Sequence, residues 1–125
     1  MAMISRTIAA AFALAAALVV PVTVQAHAFL DHSDPAVGST VPASVAVIHL
    51  WFTQQLEPAF CWVTVTDRSG AAVNDGPAAI DSSDQSELTL KLKPLLAGTY
   101  TVKWHVLSVD THTTEGDFTF IVGRS

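Results

Sequence analysis

Sulfur-containing side chains are scarce in this sequence. Its single cysteine is Cys61, and its two methionines, Met1 and Met3, stand at the very start of the chain. One cysteine cannot form a disulfide within the chain, so a hydrophobic core has to hold the fold together. Without methionine after residue 3, the rest of the chain has no thioether that could ligate a soft metal ion. Cys61 stands in the apolar run Phe60-Cys61-Trp62-Val63, which favours a buried, unreactive thiol over a metal ligand or a nucleophile.

Basic residues are also few. The chain has 6 Lys and Arg against 11 Asp and Glu, for a formal net charge of −5. An excess of acidic side chains repels the phosphates of nucleic acids and of anionic membranes, and it attracts cations. We therefore expect neither nucleic acid nor an anionic membrane surface as a partner.

One long apolar run stands at the N-terminus. It extends from Thr7 to Val22 after a single basic residue, Arg6, and its length of about 16 residues is short for a bilayer span of about 20. Small residues follow at the positions that a signal peptidase reads, Val24 at −3 and Ala26 at −1. We predict that residues 1–26 form a secretory signal peptide that is cleaved as the protein is exported.

Cleavage after Ala26 leaves a mature domain of residues 27–125, with 5 basic residues against 11 acidic ones and a formal charge of −6. Two alternatives stay open. An uncleaved membrane anchor is disfavoured because no basic stop-transfer flank follows the apolar run. A cut after Ala28 is the other alternative, because Ala26-His27-Ala28 is itself an A-x-A pattern, and that cut would discard His27.

After residue 27 the hydrophobic pattern alternates with a period of two, which indicates β-strands with one solvated face. Clear strands are predicted at 45–52, 62–66, 88–92 and 100–106, with Pro, Gly, Asn and Asp turn signals between them. Roughly seven short strands predict one all-β domain, an immunoglobulin-like Greek-key sandwich or small barrel. The alternation predicts these core residues: Leu50, Phe52, Trp62 or Val63, Val65, Leu88, Leu90, Leu92, Tyr100, Val102, Trp104, Val106, Phe118, Phe120 and Val122.

The five histidines are the most informative side chains: His27, His32, His49, His105 and His112. The segment 108–117 is predicted to connect two strands, and it holds Asp110 and His112. In a locally extended backbone, residues two apart project to the same side, so a carboxylate oxygen and an imidazole nitrogen would converge on one cation. An Asp-x-His pattern alone is a weak signal, and a solvated loop is the alternative.

Cleavage after Ala26 would change the chemistry of His27. The freed α-amine and Nδ1 of the same residue can close a six-membered chelate on one metal ion. An unperturbed α-amine has a pKa of about 7.7–8.0, so a metal ion displaces its proton at neutral pH more readily than that of a lysine. An amine, two imidazoles and a carboxylate form a set of three nitrogens and one oxygen that suits Cu(II) in tetragonal geometry, and Zn(II) could use the same donors in tetrahedral geometry.

Five segments then follow one another in order: His27-Ala28-Phe29-Leu30, Ser33-Asp34-Pro35-Ala36-Val37-Gly38-Ser39, Leu50-Trp51-Phe52-Thr53, Ala97-Gly98-Thr99-Tyr100-Thr101-Val102-Lys103-Trp104, and Ser108-Val109-Asp110-Thr111-His112 with Gly116. In this order and spacing, over essentially all of residues 27–123, the sequence resembles the exported copper-binding proteins of the CopC/PcoC type.

The resemblance implies a cupredoxin-like or immunoglobulin-like β-sandwich that binds one Cu(II) ion at one end. It implies His27 as the source of the amine and Nδ1, with Asp110 and His112 completing the site. It also implies a periplasmic role in copper homeostasis or resistance, by capture and hand-over or by sequestration rather than by catalysis. A CopD-type inner-membrane copper transport protein is the candidate partner.

The sequence departs from the family pattern in two places. Some relatives hold Cu(I) in a methionine-rich loop, which this chain lacks after residue 3. Some relatives carry an acidic residue near the copper where this chain has Thr53-Gln54-Gln55, so Gln54 is left out of the ligand set.

The other aromatic and histidine residues have plainer interpretations. His49 and His105 are expected to point outward from strands, with a less favoured outer-sphere role for His105. His32 is the most credible additional ligand. All three tryptophans, Trp51, Trp62 and Trp104, are expected in the core.

Two other function classes stay open. A histidine-brace copper monooxygenase would use a similar N-terminal chelate, but about 99 residues leave little room for a substrate face, and a carboxylate such as that of Asp110 favours Cu(II) over redox cycling. A metal-free structural β-domain is the other alternative, and it would not respond to copper.

Overall fold

The computed structural model describes residues 29–124, and the predicted signal peptide and His27 lie outside these residues. The described chain forms eight strands: β1 (Leu30–Asp34), β2 (Thr40–Val41), β3 (Val47–Phe52), β4 (Trp62–Thr66), β5 (Ala79–Asp81), β6 (Asp84–Lys91), β7 (Gly98–Leu107) and β8 (Thr113–Val122). A single 3₁₀ turn at Pro58–Phe60 precedes β4. In this part of the chain, no helix is long and apolar enough to cross a membrane.

The strands form two four-stranded sheets, in the orders β1-β3-β6-β5 and β2-β8-β7-β4. All neighbours are antiparallel except β2, which runs parallel to β8. The chain crosses from one sheet to the other several times, so the predicted all-β sandwich of Greek-key type is confirmed. The structure has eight strands in the described residues, whereas about seven were predicted. The short strands β2 and β5 have only two and three residues, too few to show an alternating pattern.

The core lies between the two sheets and contains the predicted residues. The buried hydrophobic side chains are Ile48, Leu50, Phe52, Leu56, Val63, Val65, Leu88, Leu90, Leu92, Leu95, Tyr100, Val102, Trp104, Val106, Phe118, Phe120 and Val122. Of these, Ile48, Leu56 and Leu95 were not predicted. Leu56 and Leu95 lie in connections, where no alternating pattern marks a buried face, and Ile48 lies in a run that is apolar on both faces.

Two of the three tryptophans lie outside the core, contrary to prediction. On β4, Val63 is paired with Trp104 and faces inward, so the adjacent Trp62 faces outward opposite His105 and is 49% exposed. Trp51 is only partly buried, because the buried face of its strand carries Ile48, Leu50 and Phe52. Side chains on a strand alternate between faces, and the register between strands decides which face of an apolar run is covered.

The long β7–β8 hairpin carries the segment of greatest functional interest. Its two strands pair continuously from Gly98 opposite Val122 to Leu107 opposite Thr113. Toward the turn, the indole of Trp104 packs on Gly116, where an added Cβ would lie 2.6 Å from Cζ2 of the indole. The hairpin therefore holds its connecting residues 108–112 on a well-packed base.

Candidate metal centre

Asp110 and His112 lie on the tight turn that joins β7 to β8. The connection is shorter than the predicted 108–117, because β8 begins at Thr113. The Ser108 N–H donates to the His112 carbonyl at 3.0 Å, and the Thr111 N–H donates to the Ser108 carbonyl at 2.9 Å. Thr111 has a φ of 71°, in the left-handed region. The expectation of an extended backbone here was wrong, because these hydrogen bonds and the left-handed residue reverse the chain.

The turn nevertheless brings the two predicted donors together. Nδ1 of His112 lies 3.5 Å from Oδ1 of Asp110. Two donor atoms that are each about 2.0–2.2 Å from a shared ion lie roughly 3 Å apart, so this spacing is close to that of two ligands of one metal. The side chains are 35% exposed for Asp110 and 53% exposed for His112, which leaves them accessible to an incoming ion.

Ser108 lies under this pair. It is fully buried, and its hydroxyl donates a hydrogen bond to Oδ1 of Asp110. The Ser108 hydroxyl, and to a lesser extent His112, hold the pKa of the Asp110 carboxyl below its usual value. Asp110 is therefore an anion at neutral pH, as a metal ligand must be. Sequence reasoning did not select Ser108, although its position two residues before Asp110 was a local signal.

A second segment, residues 53–56, packs beside the turn. Leu56 forms a β-bridge with Ser108, and the Val109 N–H donates to the Gln55 carbonyl at 3.0 Å. The half-buried Gln54, which the sequence left outside the ligand set, lies in the same segment.

The start of the described chain is attached to that same segment. The Phe29 N–H donates to Oγ1 of Thr53 at 3.0 Å, and the Thr53 N–H donates to the Phe29 carbonyl at 2.9 Å. Phe29 is therefore linked through residues 53–56 to the turn that carries Asp110 and His112. His27 lies outside the described residues, so its predicted part in the site stays a prediction.

Within residues 29–124, no three His, Cys, Asp or Glu side chains come close enough together to hold a metal ion. The pair of Asp110 and His112 is thus a two-donor arrangement in the described chain.

The sheet histidines have other neighbours. His49 and His105 are partly exposed on the outer faces of their sheets, as predicted, and each directs Nδ1 to a carboxylate: His49 to Glu87 at 2.8 Å and His105 to Glu115 at 3.1 Å. His105 also stacks on the exposed Trp62, with ring centroids 5.4 Å apart.

His32, the predicted additional ligand, is engaged elsewhere. Its Nδ1 lies 2.7 Å from Oδ2 of Asp31, and its ring stacks on Trp51 with centroids 4.3 Å apart. His49 stacks on the same indole at 5.5 Å. The structure therefore groups His32 with residues of the β1–β3 face, and not with Asp110 and His112.

Cys61 is half-buried rather than fully buried. Its thiol donates to the Glu57 carbonyl at 3.2 Å, and burial raises its pKa above the usual value for cysteine. A thiol that stays protonated at neutral pH is neither a nucleophile nor a ready metal ligand, which agrees with the interpretation as an inert residue.

Comparison with known proteins identifies the family to which this chain belongs. Residues 30–123 match the model of the CopC domain. Protein YobA of Escherichia coli strain K12 is 37% identical over 123 residues, which cover 98% of this chain and 99% of that protein.

Two solved structures share the fold. The crystal structure of CopC from Methylosinus trichosporium OB3b superposes with a TM-score of 0.73 and 35% identity, covering 78% of this chain and 95% of that one. PcoC, a methionine-rich copper resistance protein from Escherichia coli, superposes with a TM-score of 0.70 and 32% identity, covering 78% of this chain and 99% of that one. With its sequence match over nearly the whole described domain and its two-sheet sandwich, the chain belongs to the CopC domain family.

Proposed function

We propose that this protein is an exported Cu(II)-binding protein that captures copper and hands it over or sequesters it in the periplasm. The proposed ligands are the α-amine and Nδ1 of His27, the carboxylate of Asp110 and the imidazole of His112, around one ion per mature chain. Membership of the CopC domain family and the likeness to a copper resistance protein support a role in copper handling.

The observation that carries the proposal is the convergence of Asp110 and His112 at the end of the sandwich where the described chain begins. Their donor atoms are 3.5 Å apart, and Phe29 is tied to the neighbouring segment by two hydrogen bonds with Thr53. Two residues of extended chain span at most about 7 Å. His27, two residues before Phe29, is proposed to approach the turn from this point of attachment.

The donor set supports Cu(II) over other ions. Imidazole and amine nitrogens with one carboxylate oxygen suit Cu(II), which also binds more tightly than other divalent first-row ions at a given set of such ligands. The mature chain has no methionine, so it offers no thioether to stabilise Cu(I). Capture and release without a change of oxidation state fits these donors, and no catalytic step is assigned to the site.

The exposure of Asp110 and His112 is suited to the transfer of copper to an acceptor. Asp110 and His112 lie on an open turn, so an acceptor can approach the ion and replace one ligand at a time. A CopD-type inner-membrane copper transport protein is the proposed acceptor or donor.

The test uses mature protein obtained by export, so that the α-amine of His27 is free. One variant carries an extra Ala before His27, which turns that amine into an amide, and a matched control carries the extra Ala after Ser125. Cu(II) affinity is measured by competition with a chelator of known affinity. We expect the N-terminal insertion to weaken binding by at least about a hundredfold, because it removes a donor and its chelate ring together, and the C-terminal insertion to leave it unchanged.

Equal affinity of the two insertion variants would contradict the proposed ligand set. The same titration with Zn(II) tests the choice of metal, since we expect Cu(II) to bind more tightly. A mature protein that binds neither ion would instead support a metal-free structural domain.

A further inference from the structure

Ser108 is the buried member of an otherwise exposed turn. Its side chain is 0% exposed, whereas those of Asp110 and His112 are 35% and 53% exposed. Its hydroxyl donates to Oδ1 of Asp110 and lies 3.2 Å from the His112 carbonyl oxygen. One buried hydroxyl therefore contacts both residues that we propose as ligands.

The backbone of Ser108 is also held on several sides. Its N–H donates to the His112 carbonyl, its carbonyl accepts the N–H of Thr111, and it forms a β-bridge with the buried Leu56. Because the side chain is also fully buried, its hydroxyl has few alternative positions and can orient the more exposed carboxylate of Asp110.

The arrangement differs from the other serine–aspartate pairs of the described chain. In those pairs an aspartate accepts from a serine two residues later: Asp67 from Ser69, Asp81 from Ser83, and Asp84 from Ser86. None of those three serines is buried. At the turn of the candidate centre the order is reversed and the serine lies in the interior, so the hydrogen bond anchors the carboxylate to the core.

We propose that Ser108 is a positioning residue of the metal site, whose hydroxyl holds the Asp110 carboxylate turned toward His112 before the ion arrives. The inference rests on the proposed function, since it assigns a role within the same site. Groups that orient metal ligands commonly change metal affinity by about 10- to 100-fold when removed. Without the hydroxyl, Asp110 would have to give up rotational freedom when it binds the ion.

A pair of variants with nearly identical shape isolates the hydroxyl. Ser108→Thr keeps the donor, and Ser108→Val replaces it with a methyl group, so any strain from the larger side chain is common to both. In mature protein we expect Ser108→Val to bind Cu(II) at least about tenfold more weakly than Ser108→Thr. We also expect only the valine variant to change the electron paramagnetic resonance spectrum of the bound Cu(II).

The matched control is Ser69→Ala. It removes the same kind of hydrogen bond, from Ser69 to Asp67, just beyond β4 at the opposite end of the sandwich. We expect this variant to bind Cu(II) with wild-type affinity and an unchanged spectrum. Urea unfolding of each variant without copper reports any general loss of stability.

A double-mutant cycle tests whether Ser108 acts through Asp110. With Asp110→Ala in place there is no carboxylate to orient, so adding Ser108→Ala should cost no further affinity. Additive losses, or equal affinities of the Thr and Val variants, would overturn the positioning role while leaving the proposed function intact. Failure of the wild-type mature protein to bind Cu(II) would overturn the proposed function itself, and the positioning role with it.

Discussion

The carboxylate of Asp110 brings negative charge as well as a donor atom to the candidate centre. The hydrogen bond from Ser108 holds its pKa below the usual value, so the charge is present at neutral pH. His112 adds an imidazole nitrogen 3.5 Å away. Asp110 therefore contributes negative charge and His112 contributes a nitrogen donor. The loss of either residue is expected to weaken metal binding for a different reason.

Asp110→Asn and His112→Ala test these two contributions separately. Asn keeps the size of the side chain but removes its charge, while Ala removes an imidazole donor. We expect each to lower Cu(II) affinity by at least about tenfold in competition titrations of mature protein, since even outer-sphere changes have effects of that order. His49→Ala is the control, because His49 pairs with Glu87 on the outer face of the other sheet. Wild-type affinity in either site variant would remove that residue from the ligand set.

The β7–β8 hairpin is the element that gives the turn its shape. Its packing depends on Trp104, which meets Phe52 edge to face with centroids 5.3 Å apart and lies directly on the α-carbon of Gly116. Tyr100 holds the other end of the same hairpin, because its hydroxyl donates to the Leu96 carbonyl at 2.7 Å and its ring stacks on Phe120. Both ends of the hairpin are thus tied to the core, so residues 108–112 are presented from a rigid support.

Gly116→Ala tests how tightly the hairpin is packed. The added methyl group would lie 2.6 Å from Cζ2 of Trp104, and Phe52 limits the movement of the indole away from it. We expect the free energy of unfolding to fall by about 1–3 kcal/mol, the usual cost of overpacking a core. Urea denaturation measures it, with Asp117→Ala on the exposed face of β8 as the control, expected within about 0.5 kcal/mol of wild type. Unchanged stability of the glycine variant would show that the indole can move freely.

At the scale of the molecule, four aspartates among residues 29–124 share one kind of stabilisation. A serine hydroxyl is the main reason why the pKa values of Asp67, Asp81, Asp84 and Asp110 lie below the usual value. These pairs lie just after β4, around the junction of β5 and β6, and in the turn between β7 and β8. In the unfolded chain the same carboxyls would titrate near pH 3.9.

The shared depression of these pKa values predicts acid sensitivity. A carboxyl whose folded pKa is depressed contributes stability at pH values above the unfolded pKa, and this stability is lost as the pH falls through the lower, folded pKa. We expect the free energy of unfolding of the copper-free protein to change little between about pH 7 and 5 from this source and to decline below about pH 4.

Urea unfolding as a function of pH checks this expectation. In a variant with Ser69, Ser83 and Ser86 all replaced by Ala, the decline below about pH 4 should be shallower, because the folded and unfolded pKa values become more alike. Ser82→Ala, in the same connection as Ser83, serves as the single-site control. A decline of the same steepness in the triple variant would show that other groups control the acid response.

Much of the fold could be predicted from the local pattern of hydrophobic and polar residues. Alternating side chains predicted the strands at residues 62–66 and 100–106 and nearly all of the core, because each residue on a strand faces away from its neighbours whatever the rest of the chain does. The convergence of Asp110 and His112 was also predicted, although from an extended backbone that the structure does not show. The identity of the predicted donors suggested Cu(II), with Zn(II) as the alternative ion.

Tertiary structure decided the features that depend on which strands meet. Register placed Val63 inward and Trp62 outward, and it grouped His32 with Trp51 rather than with the turn. A left-handed residue at Thr111, and not extended backbone, brought Asp110 and His112 to 3.5 Å. The burial of Ser108, which forms a β-bridge with Leu56 far away in sequence, was likewise decided by the tertiary structure. Burial and register are set by contacts between distant segments, and no local period records them.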